Sequence, residues 1–178
     1  VVTSNSFAHI DDMIDVVKGI KLLLESDGIL AIQVHYAVSM VEKMQYDWIY
    51  HEHLSYYTLY SLSKFLSSFD LKIFDAKETS MHGGSIRVYA QHSTMDRPET
   101  ASLKRLKEKE FKLGANKLEF FSRFAGDMDK TRVQLKKVIL DLTQKNKSIV
   151  GYGAPARATT LSAYIGLQFV KQHLRAVI

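Results

Sequence analysis

The stretch "ILAIQVHY", residues 29 to 36, constrains the fold of this chain most. It is almost continuously apolar, rich in branched side chains and too short for a buried helix, so it reads as a strand covered on both faces within a parallel sheet. The residues before it fit that reading. "VVTSNSFAHI" reads as a strand and its exit loop, and Asp11 or Asp12 can cap a helix running through about Leu24. Ile14, Val17, Ile20, Leu23 and Leu24 are spaced for one apolar face, and "SDG" ends the helix. The chain therefore opens strand, helix, strand.

Further on, "SLSKFLSSFD" reads as a helix capped by Ser61 and "LKIFDAKE" as a strand. "MHGG" is a turn and "SIRVYAQH" an alternating strand that closes a hairpin. With 178 residues, 46% of them hydrophobic, the chain can bury one domain or two small ones. The absence of cysteine excludes disulfides and thiolate metal sites. With no eighteen-residue apolar run, signal peptide or lipidation motif, a soluble cytoplasmic protein without a membrane partner is expected. The chain begins at Val1 inside an apolar, strand-like run, which reads as the start of a fragment.

The net charge of +5 raises the question of nucleic acid. Residues 101 to 147 hold 13 Lys/Arg against 6 Asp/Glu, leaving 11 against 13 elsewhere. In that segment Leu103, Leu106, Leu113, Leu118, Phe121, Phe124, Met128, Leu135, Val138, Ile139 and Leu142 recur at helical spacing, with lysines between them. The charge reads as a solvated helix face, with no aromatic interleaving to suit a nucleic-acid partner.

"KSIVGYGAPARATTL" reads as a strand entering a glycine turn and then a helix, with Pro155 in its first turn. Gly151, Gly153 and Ala156 follow the GxGxx(G/A) spacing, and Arg157 lies close enough to add a guanidinium for a diphosphate. A glycine turn that only joins strand to helix is the alternative.

"YDWIYHEHLSYYTLYSL", residues 46 to 62, gathers two histidines around a glutamate with five tyrosines. On extended backbone His51 and His53 share a side, which would suit a metal, but no second ligand motif accompanies them. Histidines and tyrosines satisfying one another beneath a loop are a further option. Acid and base chemistry accounts for more of the pattern. An imidazole titrates near neutrality, a carboxylate can orient it, and a tyrosine hydroxyl can donate to an oxyanion.

"YDWIYHEHLSYYTL", "HGGSIRVYA" and "IVGYGAPARATTL", in this order, resemble the sugar C-methyltransferases that act on nucleotide-linked 4-keto deoxysugars, as does "NSFAHIDD". The resemblance covers essentially the whole chain. It implies S-adenosylmethionine as cofactor, no metal in this segment, and a nucleotide-diphosphate sugar as partner. It implies His53 as general base, Glu52 beside it, Tyr50 near the sugar oxygen and His9 as a further catalytic group. His82 is a substrate-side neighbour, and Gly151, Tyr152, Gly153, Ala154 and Arg157 hold the nucleotide. Asn5, Ser6 and Phe7 are what this segment offers the cofactor, because neither the family's zinc module nor its glycine-rich cofactor loop occurs in it.

The fold expected is α/β. Residues 1–97 would form the second half of a class I methyltransferase Rossmann-like sheet. Residues 98–178 would form basic helices followed by a partial nucleotide-binding-like α/β domain. Two alternatives stay open: an NAD-dependent nucleotide-sugar enzyme that uses "GYGAPA" as its fingerprint, and a non-catalytic nucleotide-sugar binding module.

Overall fold

The computed structural model describes residues 1–177 and divides into two compact units. The first comprises residues 1–43 and 52–121, the second residues 44–51 and 122 onward.

The first unit is a four-stranded mixed sheet with helices. β1 (Val2–Ser4) leads through a 3-10 turn (Phe7–His9) into α1 (Met13–Leu23), then β2 (Leu30–His35) and α2 (Ala37–Glu42). After residues 44–51 the chain returns as α3 (Leu59–Ser67), β3 (Leu71–Thr79), a 3-10 turn (Met81–Gly83), β4 (Ser85–His92) and α4 (Ala101–Leu113). The sheet order is β1-β2-β4-β3. β2 lies parallel to β1 and antiparallel to β4, which also pairs with β3, so the parallel neighbour expected for β2 exists on one edge only. Leu30, Ile32 and Val34 are at most 1% exposed and centre the core. Gln33, a polar residue inside the apolar run, is buried opposite Arg87, whose Nε and Nη2 donate to its Oε1 at 3.0 and 2.7 Å.

Asp12 is the cap of α1, its carboxylate accepting from Asp15 N–H at 3.0 Å. α3 differs from the sequence reading. Its cap is Thr58, not Ser61, because the two form a reciprocal capping box in which each side chain accepts from the other's backbone N–H at 3.0 Å. α4 belongs to the sheet unit, beyond the boundary expected at residue 97. Thr100 N–H donates to Phe74 C=O at 3.0 Å, Thr100 Oγ1 to Asp75 at 2.5 Å, and Ser102 Oγ to Ala76 C=O at 2.6 Å. Those bonds fasten the start of α4 to β3, and its apolar Leu103 and Leu106 complete the core.

α5 (Leu118–Gln144) begins in the first unit, where Phe120 reaches the core, and continues into the second. Phe124 and Ile139 are buried, whereas Leu118 and Val138, assigned by spacing to the same apolar face, are 76% and 54% exposed. The second unit continues with β5 (Val150–Gly151), α6 (Ala156–Ile165), α7 (Leu167–His173) and β6 (Ala176–Val177), β5 and β6 pairing in parallel. Pro155 stands just before α6 as its cap, its ψ of 162° being extended and not helical. Ile178, the last residue of the strand expected there, lies outside the described residues. Among the described residues no helix is long and apolar enough to cross a membrane.

Candidate active site

Three imidazoles meet where β1 and β2 end. Leaving β1, Asn5 extends the parallel ladder by donating its N–H to Gln33 C=O at 2.8 Å, and the 3-10 turn then buries Phe7 and Ala8. Ala8 C=O accepts from Leu54 and Ser55 N–H at 2.7 and 3.3 Å, which pins the irregular loop 52–56 against the β1 exit. That staple sets His9 edge-on to His53, ring centroids 4.9 Å apart. Tyr56 meets the His53 ring edge-on at 6.1 Å. His35, the last residue of β2, lies 6.5 Å from His53 with its plane tilted by 31°. The carboxyl ends of sheet strands are where open α/β folds hold ligands, because loops diverge there and leave a crevice.

Behind the imidazoles the frame is fixed by buried polar bonds. Tyr36 and Tyr57 form a parallel bridge, Ala37 N–H donates to Tyr57 C=O at 2.9 Å, and Tyr36 N–H to Gly84 C=O at 3.1 Å. Glu110 of α4 is 4% exposed and caps α3 from outside. Its carboxylate accepts from Leu59 N–H at 2.5 Å, Tyr60 N–H at 2.8 Å and Tyr36 O–H at 2.8 Å. A negative charge at a helix start is favourable because the first N–H groups there lack partners within the helix. Burial first, then the Glu110 charge and hydrogen bond, push the Tyr36 phenol far above the usual tyrosine range.

The turn between β3 and β4 borders the same sheet end. His82 has a left-handed φ of 51°, and Gly84 a φ of 147° that L side chains rarely adopt. A Cβ on Gly84 would stand 2.6 Å from Ser39 Cβ, so glycine is needed for α2 to pass. Lys43 Nζ donates to Gly83 C=O at 2.5 Å. Asn5, also left-handed at φ 56°, donates its side-chain amide to His82 Nε2 at 3.3 Å.

In the second unit the first half of the tyrosine-rich stretch docks on α6. Arg157 Nη1 pairs with Asp47 at 3.3 Å, and its guanidinium lies over the Trp48 ring at 4.6 Å. Thr160 Oγ1 donates to Ile49 C=O at 3.1 Å, and Tyr46 meets Tyr164 at 5.2 Å. Tyr50 and His51 line a cleft of about 510 Å³ with Thr159 and Thr160 of α6. Burial, then the Asp129 carboxylate that accepts its hydroxyl at 3.0 Å, push the Tyr164 phenol up. Gly153 is left-handed at φ 87°, and Tyr152 is 93% exposed.

The C-terminal domain of C-methyltransferases matches residues 80–177. The chain belongs to the C-methyltransferase family. It is also 32% identical over 161 residues to the C-methyltransferase NovU of Streptomyces niveus, a match covering 90% of this chain and 38% of that protein. The chain thus spans well under half the length of that curated relative.

Of the residues singled out in this C-methyltransferase chain, the structure brings His9 and His53 together and joins Asn5 to His82. Glu52 is exposed at the start of the loop in the first unit, whereas Tyr50 belongs to the second. Arg157 is engaged with Asp47 and Trp48, and the glycine turn beside it is largely exposed. Asn5 and Ser6, at a strand exit with polar side chains, fit a cofactor contact; the Phe7 ring does not, being 0% exposed in the core. His35 escaped the sequence reading. A polar residue closing a buried strand was the signal for it. Among the described residues no group of three or more His, Cys, Asp or Glu is arranged to hold a metal.

Proposed function

We propose that the chain is the acceptor-side portion of an S-adenosylmethionine-dependent enzyme. That enzyme methylates the carbon next to the ketone of a nucleotide-diphosphate 4-keto deoxysugar. The observation that carries the reading is the meeting of His9, His35 and His53 at the carboxyl ends of β1 and β2. The sheet order supports it as well, because an antiparallel strand inserted beside the last parallel pair is how the second half of a methyltransferase sheet ends.

In this reading His53 takes the proton from the carbon beside the ketone, a task suited to an imidazole that titrates near neutrality. The electron pair left behind forms an enolate. Glu52, its neighbour in the loop, is assigned to orient His53, and His9 packs edge-on against the same ring. S-adenosylmethionine, when bound, supplies an electrophilic methyl group. Asn5 and Ser6, at the β1 exit, would hold it, and His82, bonded to Asn5, would serve the substrate side. In the second unit the Gly151–Ala154 turn and Arg157 are assigned to the nucleotide diphosphate.

The test is His53→Asn in the full-length enzyme, following both methyl transfer and solvent deuterium exchange at the carbon beside the ketone. Both are expected to fall about a hundred- to ten-thousand-fold, with both ligands still bound. Exchange that survives in His53→Asn and vanishes in Glu52→Gln would move the base to Glu52.

A further inference from the structure

The His53 ring rides on a loop, whereas catalysis by proton transfer requires it to be aimed. His9, Tyr56 and His35 each lie against that ring. Tyr56 belongs to the same loop and moves with it. His9 closes a short 3-10 turn and is exposed. His35 differs from both, because it closes β2, which pairs with β1 as far as Gln33 and with β4 through His35 itself. Its own register partner is Ser85, which is 0% exposed. The residue that follows it is wholly buried and tied to Glu110. The backbone of His35 is therefore held by strand pairing, unlike that of His9 or Tyr56.

We propose that His35 is a positioning residue for His53: its flat ring, half-buried at the end of β2, is the wall that sets the direction in which the His53 imidazole points. The inference rests on His53 being the base. Tilted aromatic pairs at this centroid separation hold one another through ring contact, and sites anchored on strands keep their geometry more closely than sites on loops. A misplacement of about 1 Å in such a group can cost on the order of a hundredfold in rate.

The experiment compares His35→Ala and His35→Phe in the full-length enzyme, reading kcat, KM for both substrates, and deuterium exchange beside the ketone. Removing the wall by His35→Ala is expected to lower kcat and exchange together by roughly ten- to a hundredfold, with both KM values within about twofold. His35→Phe restores a flat ring and is expected to recover most of the rate. Wild-type kcat in His35→Ala overturns the proposal, as does a folded His35→Phe as slow as His35→Ala. If His35→Ala fails to fold, the rate of His35→Phe decides alone. His53→Asn in the same assay separates the two ideas. Exchange retained there removes the base assignment, whereas exchange lost there but untouched in His35→Ala removes only the positioning role.

Discussion

Replacing Glu110 by alanine tests how the frame behind the imidazoles is held. The carboxylate accepts from three donors, the Tyr36 hydroxyl and the N–H groups of Leu59 and Tyr60. Tyr36 and Leu59 are 0% and 1% exposed, so their donors would lose an acceptor where water reaches poorly, at about 1–3 kcal/mol each. Tyr60 is 47% exposed and its N–H can turn to water. Relief of the buried charge's desolvation offsets part of the loss, as does a neighbouring cleft of about 360 Å³ that can admit water. The net expectation is a destabilisation of about 3 kcal/mol. Glu110→Gln should cost less, since its amide keeps one acceptor oxygen. Urea unfolding measures the size and amide hydrogen exchange the place. Because the chain has two compact units, exchange at Leu59 and Tyr60 is the sharper readout and should accelerate with the global loss. Tyr36→Phe completes a double-mutant cycle, with coupling of about 1 kcal/mol or more. A change under about 0.5 kcal/mol with unaltered exchange at both amides would refute the reasoning.

Two further outcomes follow from the same geometry. The Tyr36 phenol is raised in the folded chain, so folding favours its neutral form; that stability is fully present below the unfolded tyrosine pKa of about 10 and is lost as pH rises beyond it. Unfolding free energies from urea titrations between pH 9 and 11 should therefore fall by about 1.4 kcal/mol in all from this group, most of it above pH 10, and Tyr36→Phe should remove that loss. Arg157→Ala in the full-length enzyme should weaken nucleotide-sugar binding about ten- to a hundredfold, as loss of a charge-assisted bond implies, and leave S-adenosylmethionine affinity unchanged. Unchanged sugar affinity in a calorimetric titration would leave Arg157 only its contacts with Asp47 and Trp48.

Much of the first unit was legible because its signals are local. A continuous apolar strand, an Asp-capped amphipathic helix and two strands flanking "MHGG" each announce themselves within ten residues or so. Thr58 was missed as a cap because a Thr and a Ser three residues apart are both eligible, and only their reciprocal bonding decides between them. The place of α4 depends on hydrogen bonds from Thr100 and Ser102 to β3 that no spacing encodes. The site was half legible. "YHEH" drew notice as one motif, yet the chain divides it, His51 going with α6 and His53 with the sheet. His35 was hidden by the apolar run that made β2 so clear. The stacking of Arg157 on Trp48 joins two motifs far apart in the chain, and neither motif alone carries a sign of the other.

The distribution of strain follows the same division between rigid strand and shaped loop. Asn5 and His82 both adopt left-handed backbone, a conformation that Asn and His tolerate better than most residues, and they bond to each other across the sheet end. Such conformations persist where the surroundings over-determine them. Asn5 is held by the parallel ladder to Gln33, and the His82 turn by Lys43 and by the close passage of Ser39 over Gly84. The interior of β2 supplies no such departures; it supplies pairing on both edges. In the proposed reading, a loop carrying the base can then be irregular enough to meet a substrate and still be aimed, provided one ring beside it hangs from that strand. His35 occupies that place, which is why its ring, more than its charge, is the property the proposed variants are chosen to separate.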